Sequence, residues 1–191
     1  MKTICRIFNE NIGLTLIELM IVMVLSLVLM GTVYLAFQVQ QVSDKEQQQV
    51  TIAQQDLRAV MLVMERDLRN AGCDPLIANN PTNMIFGVQA PLSANSLTVS
   101  YDLDADGTLD TEEKVTYSLA GSALQRDDGT TSTTLAENIS AVDFEYLDIN
   151  GASTTVLADI RSIEVKIDVQ SPDGEFDRTM TRRIKLRNMG L

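Results

Sequence analysis

The run from Leu14 to Phe37 is almost uninterrupted in apolar character, and it holds one charged residue, Glu18. A stretch of this length matches the roughly 20 residues that a helix needs to cross the hydrocarbon core of a bilayer. Lys2 and Arg6 precede it, and flanking cations of this kind predict that the N-terminal side stays cytoplasmic while the bulk of the chain faces outward. A secretory signal peptide has a shorter apolar core that ends in a small-residue cleavage site, whereas Val33 to Phe37 makes a poor one. An ordinary anchor leaves Glu18 unexplained, because a carboxylate at the centre of a span costs about 2.5–3.5 kcal/mol on insertion scales and is rare without a partner.

The residues around that carboxylate carry a resemblance. Gly13-Leu14-Thr15-Leu16-Ile17-Glu18-Leu19-Met20 resembles the type IV prepilin motif, a glycine followed by a hydrophobic residue, Thr-Leu-Ile/Val-Glu and an apolar helix. The resemblance implies a leader at 1–13, cleavage after Gly13 by a membrane prepilin peptidase, and N-methylation of the new N-terminus at Leu14. Members of such families most often begin with Phe or Met, so Leu14 is a departure that bears on methylation rather than on class. It also implies that Glu18 pairs with the amine of Leu14 on an adjacent subunit during assembly, since a buried, unpaired carboxylate is strongly destabilising. Pseudopilins placed first at a filament tip usually lack this Glu, which argues against that class.

Beyond the span at 14–37, Val39, Val42, Val50, Ala53, Leu57, Val60, Met64 and Leu68 recur mostly at spacings of three and four. That is the pattern of an amphipathic helix with one face on a domain. It predicts a stem over 38–72 that continues to about Asn70 and is stopped by Gly72 and Pro75. The string Glu65-Arg66-Asp67-Leu68-Arg69-Asn70-Ala71-Gly72-Cys73 is similar to the helix end of PilW-like minor pilins and of some related pseudopilins, with Cys73 in the place of an aromatic. Cys73 itself reads as a small, buried apolar residue.

After Pro75 the period changes to two. Leu97, Val99 and Tyr101, then Val115, Tyr117 and Leu119, then Val142, Phe144 and Tyr146, then Ile163 to Val169 alternate with polar residues, as half-buried antiparallel strands do. Asp106-Gly107, Asp128-Gly129, Asn150-Gly151 and Asp173-Gly174 supply turn signals between and after the runs. The expected fold is therefore α+β and type IV pilin-like, a long N-terminal helix packed on an antiparallel sheet, with a β-rich head over 73–191.

Charge and composition narrow the function. The formal net charge is −11, which becomes −12 if the leader with Lys2, Arg6 and Glu10 is removed, and residues 70–160 hold 14 acids against Lys114 and Arg126. Such a segment disfavours binding to a nucleic-acid backbone. The stretch Arg178, Arg182, Arg183, Lys185 and Arg187 reads as the solvated face of an edge strand, the alternative being an electrostatic patch. There is no His, and Cys73 alone remains of two cysteines once the leader is gone, so the usual nucleophile–base pairs and zinc sites cannot be assembled. An enzyme is not expected.

One segment points to a metal. Asp102, Asp104, Asp106, Thr108, Asp110 and Glu113 lie at the oxygen-bearing positions of a twelve-residue calcium pattern that has Gly107 at its sixth place. Calcium is the expected ligand, on a hairpin rather than between helices, because strand patterns flank the loop. The functional expectation is a minor pilin of a type IV pilus, resembling the PilW-like group, that helps initiate the filament near its tip. The alternatives are a J-like type II secretion pseudopilin and a pilus-borne adhesin or DNA-binding module. Expected partners are other pilins and minor pilins, the prepilin peptidase and an inner-membrane assembly platform. The expected setting is the inner membrane of a Gram-negative bacterium with the head in the periplasm, then an extracellular filament.

Overall fold

Thr15 opens the first helix. Its hydroxyl accepts the Glu18 N–H at 3.3 Å, which satisfies one of the donors that a helix start leaves orphaned, and its carbonyl accepts the Leu19 N–H at 3.2 Å, the first bond of the helix ladder. The computed structural model describes residues 15–76, 85–171 and 177–189, so Gly13 and Leu14 lie outside the described residues. Helix α1 runs over Leu16–Asn70, 55 residues without a break. By its internal contacts the chain divides into two units, residues 1–47 and 48–191.

In the first unit every described helical side chain is exposed, including the apolar ones from Leu16 to Val42. This is the chain's one candidate membrane span among the described residues. At 1.5 Å per residue, the segment from Leu16 to Phe37 is about 33 Å long, close to the thickness of a bilayer core. Its hydroxyls are satisfied within the helix: Ser26 donates to the Val22 carbonyl at 2.7 Å and Thr32 to the Leu29 carbonyl at 2.8 Å. Glu18 is left as the one charged side chain of the span.

In the second unit α1 turns one stripe inward. Leu57, Val60, Met61, Met64, Leu68 and Ala71 are buried at the three-and-four spacing that places residues on one helix face. Val39 and Val42, which continue that pattern toward the N-terminus, are exposed. Two acids, Glu65 and Asp67, share the buried stripe, a feature that the apolar pattern alone does not show.

The stripe packs against two antiparallel sheets rather than one. The first contains, in order, β1 (Gly87–Val88), β2 (Ser96–Ser100), β3 (Lys114–Ala120), β4 (Ala123–Asp127) and β5 (Ser132–Ala136). The second contains β6 (Ile139–Leu147), β7 (Ser162–Gln170) and β8 (Asp177–Lys185). Both contribute to a single core with the helix: Leu97, Val99, Val115, Tyr117 and Leu124 from the first sheet, Val142, Phe144, Ile163, Val165, Ile167 and Ile184 from the second. Three of the four turn signals lie between strands of one sheet, and the fourth, Asp173-Gly174, falls outside the described residues. Strands β1, β4 and β5 are the additions; β1 is two residues long, and the Gln, Arg, Ser and Thr content of the other two gives little apolar alternation to read.

The end of α1 is closed by distant parts of the chain. Gly72, at φ +78°, leaves the helix in the left-handed region that glycine tolerates, and its N–H donates to the Ser100 carbonyl at 3.0 Å. Asn188 donates its side-chain amide to the carbonyls of Arg69 and Asn70 at 3.3 and 3.4 Å, acceptors that have no partner within the helix. Met189 is buried beside Gly72 and Gly87, where a Cβ would meet its side chain at 3.1 and 3.0 Å. Asn188 and Met189, the last described residues, thus lie against the helix end, Met189 within the core.

Candidate functional site

The β3–β4 connection is the two-residue loop Gly121-Ser122, with Ala120 opposite Ala123. A hairpin of that length fixes its register, and counting back from it sets Tyr117 opposite Arg126. Both side chains meet Asp67 of α1. The Tyr117 hydroxyl donates to Asp67 Oδ2 at 2.7 Å and Arg126 Nε donates to the same oxygen at 2.8 Å, while Arg66 Nε reaches Oδ1 at 3.3 Å. Asp67 is 1% exposed, so these contacts replace the water it gives up.

The surroundings show the effect in their proton affinities. Burial, reinforced by the Asp67 charge and hydrogen bond, pushes the Tyr117 hydroxyl well above the ordinary tyrosine range. Tyr101 is raised for the same two reasons, burial first. Burial alone would lower Arg126, but its hydrogen bond and charge contact with Asp67 outweigh that and raise it further. Arg126 is thus a permanent cation. It also donates to Asp128 at 3.3 Å, whose carboxyl is held down at about 2, chiefly by the Thr131 N–H and by the hydroxyl and N–H of Thr130.

A second pairing ties the same helix turn to the other sheet. Arg182, itself half exposed, lies opposite the buried Val165 on β7 and two residues before the buried Ile184, so it belongs to the helix-facing side of β8. It reaches Glu65 at 2.7 Å, and Arg69 completes the pair one turn along the helix. Asp67 thus fastens α1 to β3 and β4, and Glu65 fastens it to β8. Neither role was legible in the pilin-like string around them, although a signal existed: Glu65 lies four residues after Met61 and Asp67 three after Met64, on the apolar stripe itself.

Comparison with known families decides what kind of chain carries this apolar helix and this clamp. The family described as prepilin peptidase-dependent protein B matches residues 46–186, about three-quarters of the chain. The chain belongs to the prepilin peptidase-dependent protein B family. The prokaryotic N-terminal methylation motif matches residues 10–34, and a comparison with curated proteins finds no match. Together the two family matches make this a type IV pilin-family protein, processed by prepilin peptidase and pointing to a structural subunit rather than an enzyme.

In this member of the prepilin peptidase-dependent protein B family, the acidic loop is built unevenly for a metal. Carboxylate oxygens of Asp102, Asp104 and Asp106 lie within 4.8 Å of one another. Glu113 is engaged elsewhere: it is buried, and its two oxygens accept the N–H groups of Leu103 at 2.6 Å and Asp110 at 3.0 Å. Asp102 accepts the Gly107 N–H at 3.1 Å, and Asp106 accepts both the hydroxyl and the N–H of Thr108 at 2.7 Å, which lowers the Asp106 carboxyl below the ordinary range. Of the five acids in the twelve-residue pattern, three are brought together, with the Thr108 hydroxyl beside Asp106.

The helix clamp gives a direct prediction. Asp67→Asn keeps the shape but leaves Arg126 beside a neutral amide, and breaking a buried pair typically costs about 3–5 kcal/mol. Urea unfolding of the full chain in detergent micelles, followed by far-UV circular dichroism, is expected to show a loss of that order. A loss below about 1 kcal/mol, the range of an exposed ion pair, contradicts the clamp.

Proposed function

We propose that the protein is a minor pilin of the PilW-like kind, which helps to initiate a type IV filament and sits near its tip among other pilins and minor pilins. The observation that carries the assembly part of this reading is the first half of α1: apolar, exposed on every described side, and holding one carboxylate, Glu18, with no ion-pair or side-chain hydrogen-bond partner among the described residues. Such a surface is stable in a bilayer or among other stems, and in the filament Glu18 is compensated by the N-terminal amine that cleavage after Gly13 creates at Leu14 of a neighbour. In this reading the chain is held in the inner membrane of a Gram-negative cell with its head in the periplasm, and it leaves through an inner-membrane assembly platform.

The minor rather than major role is supported by the head. Many major pilins close a disulfide loop in the C-terminal part, whereas Cys73 is a free thiol here and is the sole cysteine after Gly13. A type II secretion pseudopilin, with the same kind of stem and a similar strand-rich head, stands as the second reading. A DNA-binding head draws less support, because Arg182 is paired with Glu65 and Arg183 with Glu164. An in-frame deletion in the native host, scored for surface pili and for secreted proteins, separates the two leading readings: loss of pili with normal secretion is expected, and normal pili with lost secretion would assign the chain to the secretion machinery.

Calcium on the acidic loop is carried as part of this proposal with Asp102, Asp104 and Asp106 as its side-chain ligands, Glu113 being held by the backbone. An affinity of the extracellular class, about 10⁻⁴–10⁻³ M, is expected. Millimolar calcium should raise the melting temperature of the full chain in micelles above its value in chelator, and Asp104→Asn with Asp106→Asn should abolish the rise. An unchanged melting temperature in the wild-type chain rejects the metal.

A further inference from the structure

Strand alternation puts Arg183 and Lys185 on one side of the end of β8, and Arg187, in the bend just beyond it, is exposed as well, while Ile184 and Leu186 between them are buried. Cations two residues apart on a strand are about 6.7 Å apart, so Arg183 and Lys185 stand side by side at the head of a row that Arg187 continues. Arg161 joins them in a groove of about 550 Å³ whose opposite wall is the turn after β6, from Asp148 to Gly151. The groove is open, and the turn packs close to the row: a Cβ on Gly151 would meet Arg183 Nη1 at 3.1 Å.

The charge of this groove is not neutralised from within. Its one acid, Asp148, accepts the N–H groups of Asn150 and Ala152, each at 2.8 Å, and serves the turn. Arg161 is oriented by donating to the carbonyls of Ala158 and Ile160 at 2.7 and 2.9 Å, contacts that leave its charge uncompensated. Arg183 meets Glu164 at a loose 3.6 Å. Lys185 and Arg187 have no ion-pair partner among the described residues. A row of cations that repel one another on a chain of net charge −11 is what electrostatic complementarity to an acidic partner requires.

We infer that this groove is a docking surface for an acidic segment of a neighbouring filament subunit. Two features favour a protein segment over a nucleic acid. The overall negative charge repels a long polyanion at range, whereas a short segment brings only a few carboxylates. The rim also carries Ile149, 81% exposed, and the floor carries Met189 and Leu186, which suit side chains rather than phosphates. That the segment belongs to another subunit rests on the filament reading above; the groove's chemistry does not, and the two are tested separately.

The test is binding of a fluorescent nine-residue peptide of alternating Asp and Thr to the full chain in nonionic micelles, read by anisotropy. Saturable binding is expected, with an affinity that falls severalfold as ionic strength rises from about 0.05 to 0.3 M and the Debye length shortens. Lys185→Gln with Arg187→Gln, two exposed residues outside the core, should weaken it at least tenfold with an unchanged melting temperature. Arg182→Gln, on the helix-facing side of the same strand, should leave it within twofold. No saturable binding, or equal binding by the double variant, overturns the proposal. Tighter binding of a single-stranded oligonucleotide of equal charge overturns it in favour of a nucleic-acid groove.

Discussion

Asp67 carries a full charge on the buried stripe of α1, where burying a carboxylate without partners is prohibitive. Besides its helix neighbour Arg66, the groups that compensate it come from elsewhere in the chain: the Tyr117 hydroxyl and the Arg126 guanidinium, brought side by side by the two-residue turn at Gly121-Ser122. The β3–β4 register is therefore tied to the helix position, since a slip of one residue would turn Tyr117 and Arg126 away from Asp67 together. Glu65 repeats the arrangement toward the second sheet through Arg182. Apolar packing holds the helix on the sheets without direction; the two acids select one depth and one rotation.

Against that background Glu18 is the exception on the same helix. Glu65 and Asp67 find their cations within the chain, while Glu18, amid exposed apolar side chains, finds among the described residues no ion-pair partner, its backbone N–H alone making the N-cap contact with Thr15. One helix thus carries two kinds of acid. The pair near its C-terminal end is resolved by folding, and the one near its N-terminal end has no cation among the described residues. In the function proposed above, that cation is the amine of Leu14 on a neighbouring subunit. The C-terminal residues support the division from the other side: Asn188 and Met189 close the helix end, so the head is tied to α1 from both ends of its own sequence.

The sequence declared most of this architecture through period and punctuation. The apolar run, the Gly13-to-Met20 string and the change from helical to strand spacing after Pro75 were readable because each rests on local patterning. So were the turns at Asp106-Gly107, Asp128-Gly129 and Asn150-Gly151. The division into two sheets was not, because no local signal distinguishes two strands of one sheet from two strands of neighbouring sheets. The roles of Glu65, Asp67, Arg126 and Arg182 were hidden for a related reason: a charge on an apolar stripe looks like an interruption until the partner that faces it is known. The basic stretch was read as the solvated face of an edge strand, and its cations are exposed along and just after the edge strand β8; the spacing did not show that Arg182 also reaches Glu65 of the helix. In the acidic loop, spacing alone could not reveal that Glu113 is taken by the backbone N–H groups of Leu103 and Asp110.

The central claim is that Glu18 is a charge whose partner lies in another subunit, and incorporation into filaments measures it most directly. Glu18→Val and Glu18→Asp chains are expressed in a host deleted for the native copy, and the filament fraction is assayed for the protein alongside the membrane fraction. The account predicts that both variants reach the membrane at the wild-type level, that Glu18→Val is missing from filaments, and that Glu18→Asp, which keeps the charge, is partly retained. Wild-type incorporation of Glu18→Val would contradict it.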